Sequence, residues 1–232
     1  GEKQSSSPVM KDMISPMENT VYFLPNSDAR QSQIYFYIPM GDYNREENVR
    51  REAFNQYISG GFSGLIMNEI REKNSMAYTA YGFASSRGLP GAQTYFSGYI
   101  GTQNDKAVDA IDLYMKLLTD MPERPGRIDN IKSYLRQSAL TDHPDSRNLS
   151  LRIAEWKRRG YTDDPAKEEL PLIDSLTFPD IVDYYQKNIK GKPIIIGVLG
   201  NPKDISIDAL KKFGKVIRLN EKKLFNEKDT MF

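Results

Sequence analysis

Cysteine is absent from the 232 residues, so no disulfide framework, thiolate metal site or cysteine nucleophile can be built from this chain. Histidine occurs once, at His143, and one imidazole cannot supply the histidine pair of a usual catalytic zinc site. No apolar run approaches the ~20 residues that cross a bilayer, and the opening residues are polar rather than signal-like. An excess of one charge is missing too. The 32 Lys and Arg stand against 31 Asp and Glu, which leaves no global field to draw in nucleic acid or an acidic membrane. The chain reads as soluble, without a nucleic-acid partner or membrane insertion, in a setting compatible with a bacterial periplasm or cytoplasm.

What is present is an ordinary globular balance. Apolar residues make up 39% and charged residues 27%, enough for one sizeable core. Residues 1–16 are polar and aperiodic and read as a linker or cut end, 17–220 as one domain, and 221–232 as a polar tail. Two basic clusters, Lys157 to Arg159 and the tail around Lys211, Lys212, Lys215, Lys222 and Lys223, read as solvated faces.

Periodicity orders the elements. Val21 to Leu24 and Gln33 to Ile38 are β-rich runs parted by Pro25 to Asp28, which predicts an antiparallel hairpin. Glu46 to Ser59 carries Val49, Ala53, Tyr57 and Ile58 on a helical stripe stopped by Gly60 and Gly61. Ser63 is placed to cap a second helix that runs to about Lys73 with Leu65, Ile66 and Ile70 inward. Strands over Ala77 to Ser85 and Thr94 to Ile100 follow, joined by a turn at Gly88 to Gly91.

Asn104 is a good N-cap for a helix with the stripe Ala107, Val108, Ile111, Tyr114, Met115 and Leu118. Further helices are predicted at about Arg127 to Leu140, Ser146 to Arg159, Pro165 to Asp174 and Phe178 to Lys190, the last started by Thr177 with Asp180. Pro193 to Leu199 is an apolar strand, Asp204 to Phe213 a short helix and Lys215 to Leu219 a closing strand. Strands at both ends of a helical block imply an α+β fold: a mixed, largely antiparallel β-sheet with helices packed on one face.

Three features invite a chemical reading and fail it. His143 in Thr141-Asp142-His143-Pro144-Asp145 resembles the His-Pro-Asp loop of J-domain co-chaperones, but nothing around it matches such a domain. A loop with Asp142 or Asp145 as helix caps is the better account. Gly60 to Gly64 follows a helix and lacks the Gly-Lys-Ser/Thr ending of a phosphate loop. Gly197 to Pro202 lacks the dinucleotide fingerprint.

The informative stretch runs from Gly60 to Tyr78, where a Gly-rich turn opens a helix bearing Arg71 and a Tyr follows seven positions later at Tyr78. It resembles the C-terminal halves of the pitrilysin, insulinase and mitochondrial processing peptidase group. The closing strand, helix and strand from Ile194 to Leu219 resemble that group as well. One departure is Ser75-Met76-Ala77, where many relatives have a glycine. The catalytic halves of the group carry His-x-x-Glu-His on a helix, and that string does not occur here.

The resemblance implies a non-catalytic domain of a zinc metalloendopeptidase. It would close over an extended peptide, with zinc and base in a partner half, upstream or on another subunit. No catalytic residue, metal ligand or cofactor is assigned to this chain. Arg71 and Tyr78 are the candidate substrate-binding residues: a guanidinium offers fixed donors that never lose their charge, and a phenol adds a neutral one, so together they can grip peptide carbonyls. The alternative for the residues is structural, with Arg71 paired to Glu69 or Glu72 and the Tyr78 ring in the core. The alternative for the domain is a catalytically idle scaffold of the same fold.

Overall fold

In the computed structural model of the chain, residues 13–61, 64–142 and 144–221 are described. Ser63, His143, the first part of the expected linker and almost all of the expected tail lie outside them.

Six strands form one mixed sheet in the order β3-β4-β2-β5-β1-β6. They are β1 (Thr20–Pro25), β2 (Gln31–Asp42), β3 (Thr79–Ser85), β4 (Gln93–Gln103), β5 (Ile195–Gly200) and β6 (Lys215–Arg218). The helices are α1 (Asn48–Ser59), α2 (Ala107–Thr119), α3 (Ile128–Thr141), α4 (Leu149–Arg158), α5 (Pro165–Ser175), α6 (Phe178–Asn188) and α7 (Ile207–Leu210). The β3-β4, β4-β2 and β2-β5 pairs are antiparallel, and β1 lies parallel to both β5 and β6.

The predicted hairpin of β1 with β2 is therefore wrong, because β5 lies between them. The connection arches over the end of β5: the Asn26 amide donates to the Gly200 carbonyl at 2.9 Å, and Asn201 Nδ2 donates to the Ser27 carbonyl at 3.1 Å. That link spans about two strand spacings rather than one, which leaves a slot for the most apolar strand of the chain.

Strand alternation separates two faces. Ile34, Phe36 and Ile38 of β2, Phe96 and Ile100 of β4, and Ile196 and Val198 of β5 are buried beneath the helices. The helical stripes read from sequence fill the other side of that core: Val49, Ala53, Tyr57 and Ile58 of α1, Ile111, Tyr114 and Leu118 of α2, and Ile181, Tyr184 and Tyr185 of α6 are all buried. Phe36 stacks on Tyr114 with ring centroids 4.0 Å apart. Tyr114 fits because two glycines stand opposite each other beneath it: a Cβ on Gly82 or Gly98 would lie 2.4 or 2.1 Å from its hydroxyl oxygen. That hydroxyl donates to the Tyr81 carbonyl at 2.9 Å.

The opposite face is aromatic and, among the described residues, carries no helix. Tyr99 lies between Tyr35 and Tyr81 at 5.1 and 5.3 Å, and Tyr81 stacks on Phe83 at 6.0 Å. Tyr35 keeps 51% of its surface exposed.

The outer edge of β3 is not left open. Asn55 of α1 exchanges hydrogen bonds with the amide and carbonyl of Ala84 at 2.7 and 3.1 Å, and Ser59 Oγ accepts from the Gly82 amide at 2.8 Å. Side chains of a helix here satisfy groups that a neighbouring strand would otherwise take.

Two further expectations are corrected by burial. Asn104 does not cap α2, which is preceded instead by a 3-10 turn over Asn104–Lys106 with no side-chain cap. Its amide is buried and clamps three segments, accepting from Ser32 Oγ at 2.7 Å and the Asn201 amide at 3.2 Å while donating to the Ala29 carbonyl at 2.8 Å. Buried polar groups need partners more than an exposed helix end does. Arg159 is not solvated like Lys157 and Arg158; its guanidinium lies 5.8 Å above the Tyr161 ring. The start signal of α6 is present, with the Thr177 amide donating to the Asp180 carboxylate at 2.8 Å, and Asp145 caps the turn before α4 by accepting from the Arg147 and Asn148 amides at 2.9 Å.

Candidate functional site

Arg71 lies at the end of a helical segment that the sequence read as α-helix and that is a π-helix over Met67–Glu72. The wider turn is seen in the Lys73 amide donating to the Asn68 carbonyl, five residues back, at 3.0 Å. Such segments are rare and often accompany function. Leu65, Ile66 and Ile70 are buried as expected and anchor the segment, which leaves Arg71 on the outside.

The segment ends in a Schellman-like turn widened by one residue, its bonds reaching back six and four residues where the ordinary motif spans five and three. The Met76 amide donates to the Ile70 carbonyl and the Ser75 amide to the Arg71 carbonyl, each at 2.9 Å. The motif requires a left-handed residue at Ser75, whose φ is +50°; among the described residues it is the one non-glycine at positive φ. Ser75 belongs to the stretch Ser75-Met76-Ala77 where a glycine was expected near the turn, and it takes up a left-handed conformation that favours glycine.

Tyr78 follows directly, its amide donating to the Gly101 carbonyl at 2.9 Å as the chain enters β3. Its ring is not in the core: 52% of its surface is exposed. Gln103 Nε2 donates to its hydroxyl oxygen at 3.0 Å, which leaves the phenolic hydrogen available to a ligand.

The ion pairs that would silence Arg71 are weak or taken elsewhere. Glu69 is engaged by Lys73 at 2.9 Å and by Arg124. Glu72 approaches the Arg71 Nε only to 3.7 Å, beyond hydrogen-bonding length, with both side chains about half exposed.

Arg71 and Tyr78 line one open cavity of about 340 Å³ between the Schellman turn and the junction of β4 with α2. The same lining includes Gln103 and Lys106, which the sequence reading did not single out. They arrive through the pairing of β3 with β4, whose register sets Thr79 opposite Gly101 and so brings the end of β4 beside Tyr78. Lys106 Nζ donates to the Ser75 carbonyl at 3.2 Å.

Among the described residues no group of three His, Cys, Asp or Glu side chains stands close enough to hold a metal ion, so the residues present do not fit a zinc centre. Among the same residues no helix is long and apolar enough to cross a membrane.

No curated protein matches the chain by sequence. Among solved structures the chain is similar to a peptidase M16 inactive domain from Pseudomonas fluorescens, with a TM-score of 0.67 at 15% identity over 84% of this chain and 47% of that one. It is similar to the periplasmic protease PqqL from Escherichia coli, with a TM-score of 0.64 at 16% identity over 85% of this chain and 22% of that one. A chain of complex III from Candida albicans gives 0.61 at 13% identity, over 83% and 48%. At these identities the likeness establishes the fold, and the chain spans about half the length of the first of these relatives. The sequence signature of the peptidase M16 inactive domain matches residues 8–125, which include the π-helix, the Schellman turn, Arg71 and Tyr78, and the chain belongs to that family.

Proposed function

We propose that this chain is the non-catalytic, substrate-contacting domain of a zinc metalloendopeptidase, closing over an extended peptide held against a separate zinc-bearing half. The observation that carries this reading is the convergence of a weakly paired guanidinium, Arg71, and a half-exposed phenol, Tyr78, on one open cavity. Both would donate to carbonyl oxygens of the peptide, and closure would exclude water around those bonds and strengthen them. The bond-breaking chemistry belongs to the other half.

The test is to assemble the chain with its catalytic half and measure peptide turnover for Arg71→Ala and Tyr78→Phe. A fall in kcat/KM of about tenfold or more is expected for Arg71→Ala, with a smaller one for Tyr78→Phe. Unchanged turnover in both variants overturns the reading.

The likeness to a complex III chain favours a second reading, an idle scaffold of the same fold. The two separate on the coding sequence that accompanies this domain. A His-x-x-Glu-His helix upstream or on a partner subunit is expected for the peptidase reading, and its absence from both favours the scaffold.

A further inference from the structure

The cavity that holds Arg71 and Tyr78 is unevenly charged. Its lining carries two cations, Arg71 and Lys106, against the single acid Glu72. Lys106 belongs to the 3-10 turn Asn104–Lys106 and reaches the cavity from the β4 side, on a different element from Arg71. Its ammonium makes one hydrogen bond, to the Ser75 carbonyl at 3.2 Å, and pairs with no carboxylate among the described residues. An ammonium has three donors, so two remain. The same bond ties the lysine to the one strained residue of the turn, which limits where its charge can wander.

We infer that this cavity takes a carboxylate of the bound peptide, from an acidic side chain or from a C-terminus, and that Lys106 selects for it. The inference rests on the peptide-holding reading above and adds a substrate class to it. Peptide carbonyls are neutral and are served by Arg71 and Tyr78. A second cation beside them, paired with no carboxylate among the described residues, exceeds what a neutral carbonyl already held by Arg71 and Tyr78 calls for. It does favour an anion, and a compact ammonium receives a carboxylate as a point charge without needing the planar two-pronged geometry of arginine.

The experiment is fluorescence anisotropy at low salt with three labelled peptides of otherwise identical sequence. One is amidated and carries an internal Glu, one is amidated with Gln in its place, and one has Gln and a free C-terminal carboxylate. Binding is measured to the full chain and to Lys106→Gln and Arg71→Ala, the first at a half-buried position and the second at an exposed one, with folding checked by circular dichroism.

At least one carboxylate-bearing peptide is expected to bind about fivefold more tightly than the neutral twin, as a well-placed exposed ion pair allows. Whichever one does so identifies the source of the carboxylate. Lys106→Gln is expected to erase the difference, and raised salt to erase it in the unaltered chain. A preference that survives Lys106→Gln, or the lack of any preference in the unaltered chain, overturns the inference while leaving the peptide-holding reading in place. Binding of all three peptides that ignores Arg71→Ala, or no binding at all, overturns both.

Discussion

The amide of Ser75 donates to the carbonyl of Arg71 at 2.9 Å, so the residue with the least favourable backbone in the loop helps to fix a weakly paired guanidinium. A serine at φ +50° sits where its Cβ crowds the backbone, at a cost of about 1 kcal/mol relative to glycine. Ser75→Gly is expected to raise the unfolding free energy by roughly that amount in urea denaturation. Since the motif's two hydrogen bonds come from main-chain groups, the Schellman turn and the cavity should keep their form. A loss of stability would mean that the serine side chain, not the conformation, matters at this position.

Gly98 and Tyr114 make a second dependent pair. A methyl group at residue 98 would overlap the Tyr114 oxygen, so Gly98→Ala is expected to destabilise the fold by about 2 kcal/mol. Tyr114→Phe gives up the bond to the Tyr81 carbonyl, at about 1 kcal/mol, but removes the nearest clashing atom and leaves the ring Cζ 2.7 Å away. The double variant should therefore be less unstable than the sum of the two singles. Strict additivity in that cycle would show that the clash is relieved by backbone movement instead.

Asn104→Ala is expected to cost about 3 kcal/mol, far more than the loss of an ordinary helix cap, because it leaves the Ser32 hydroxyl, the Asn201 amide and the Ala29 carbonyl without their partner. Thermal unfolding of Asn104→Ala beside Asn104→Asp separates the contributions. The aspartate retains an acceptor for Ser32 and Asn201 but cannot donate to Ala29, so its loss should be smaller.

Acid should weaken the fold partly through Asp180. Burial pushes its carboxyl up, but hydrogen bonds from Thr177 and the Arg50 guanidinium outweigh burial and hold it below the usual value of 3.8. A depressed folded-state value means that the stabilisation is complete above the unfolded value and is lost as pH falls through the folded one. Stability measured from pH 6 down to pH 2 should therefore drop less steeply in Asp180→Asn than in the unaltered chain. Equal slopes would remove Asp180 from the account.

How much of this was legible in the sequence depended on how local each signal was. The stripes of α1, α2 and α6 are set by side chains a few positions apart, and periodicity placed them. Thr177 with Asp180 is a cap written in four residues, and it formed. The pairing of β1 was missed because its partners, β5 and β6, lie far down the chain, while the turn residues after Pro25 suit a hairpin equally well. Asn104 has the composition of a cap and the burial of a core residue, and only the fold reveals the second. The π-helix at Arg71 leaves no mark in a hydrophobic pattern that a normal helix of the same length would not also leave. Arg71 and Tyr78 are picked out by the family resemblance, and their spacing alone does not single them out. Gln103 and Lys106 join them only through the strand that returns from the far side of the sheet.

With the outer edge of β3 occupied by Asn55 and Ser59, strand addition has the short β6 edge left to it, and there exposed Lys215 and Arg218 flank Val216 and Ile217. Growth of a sheet from molecule to molecule needs a donor edge and a receptor edge on every copy. Among the described residues one such edge remains, and a copy with a single edge can terminate a ribbon but cannot extend it.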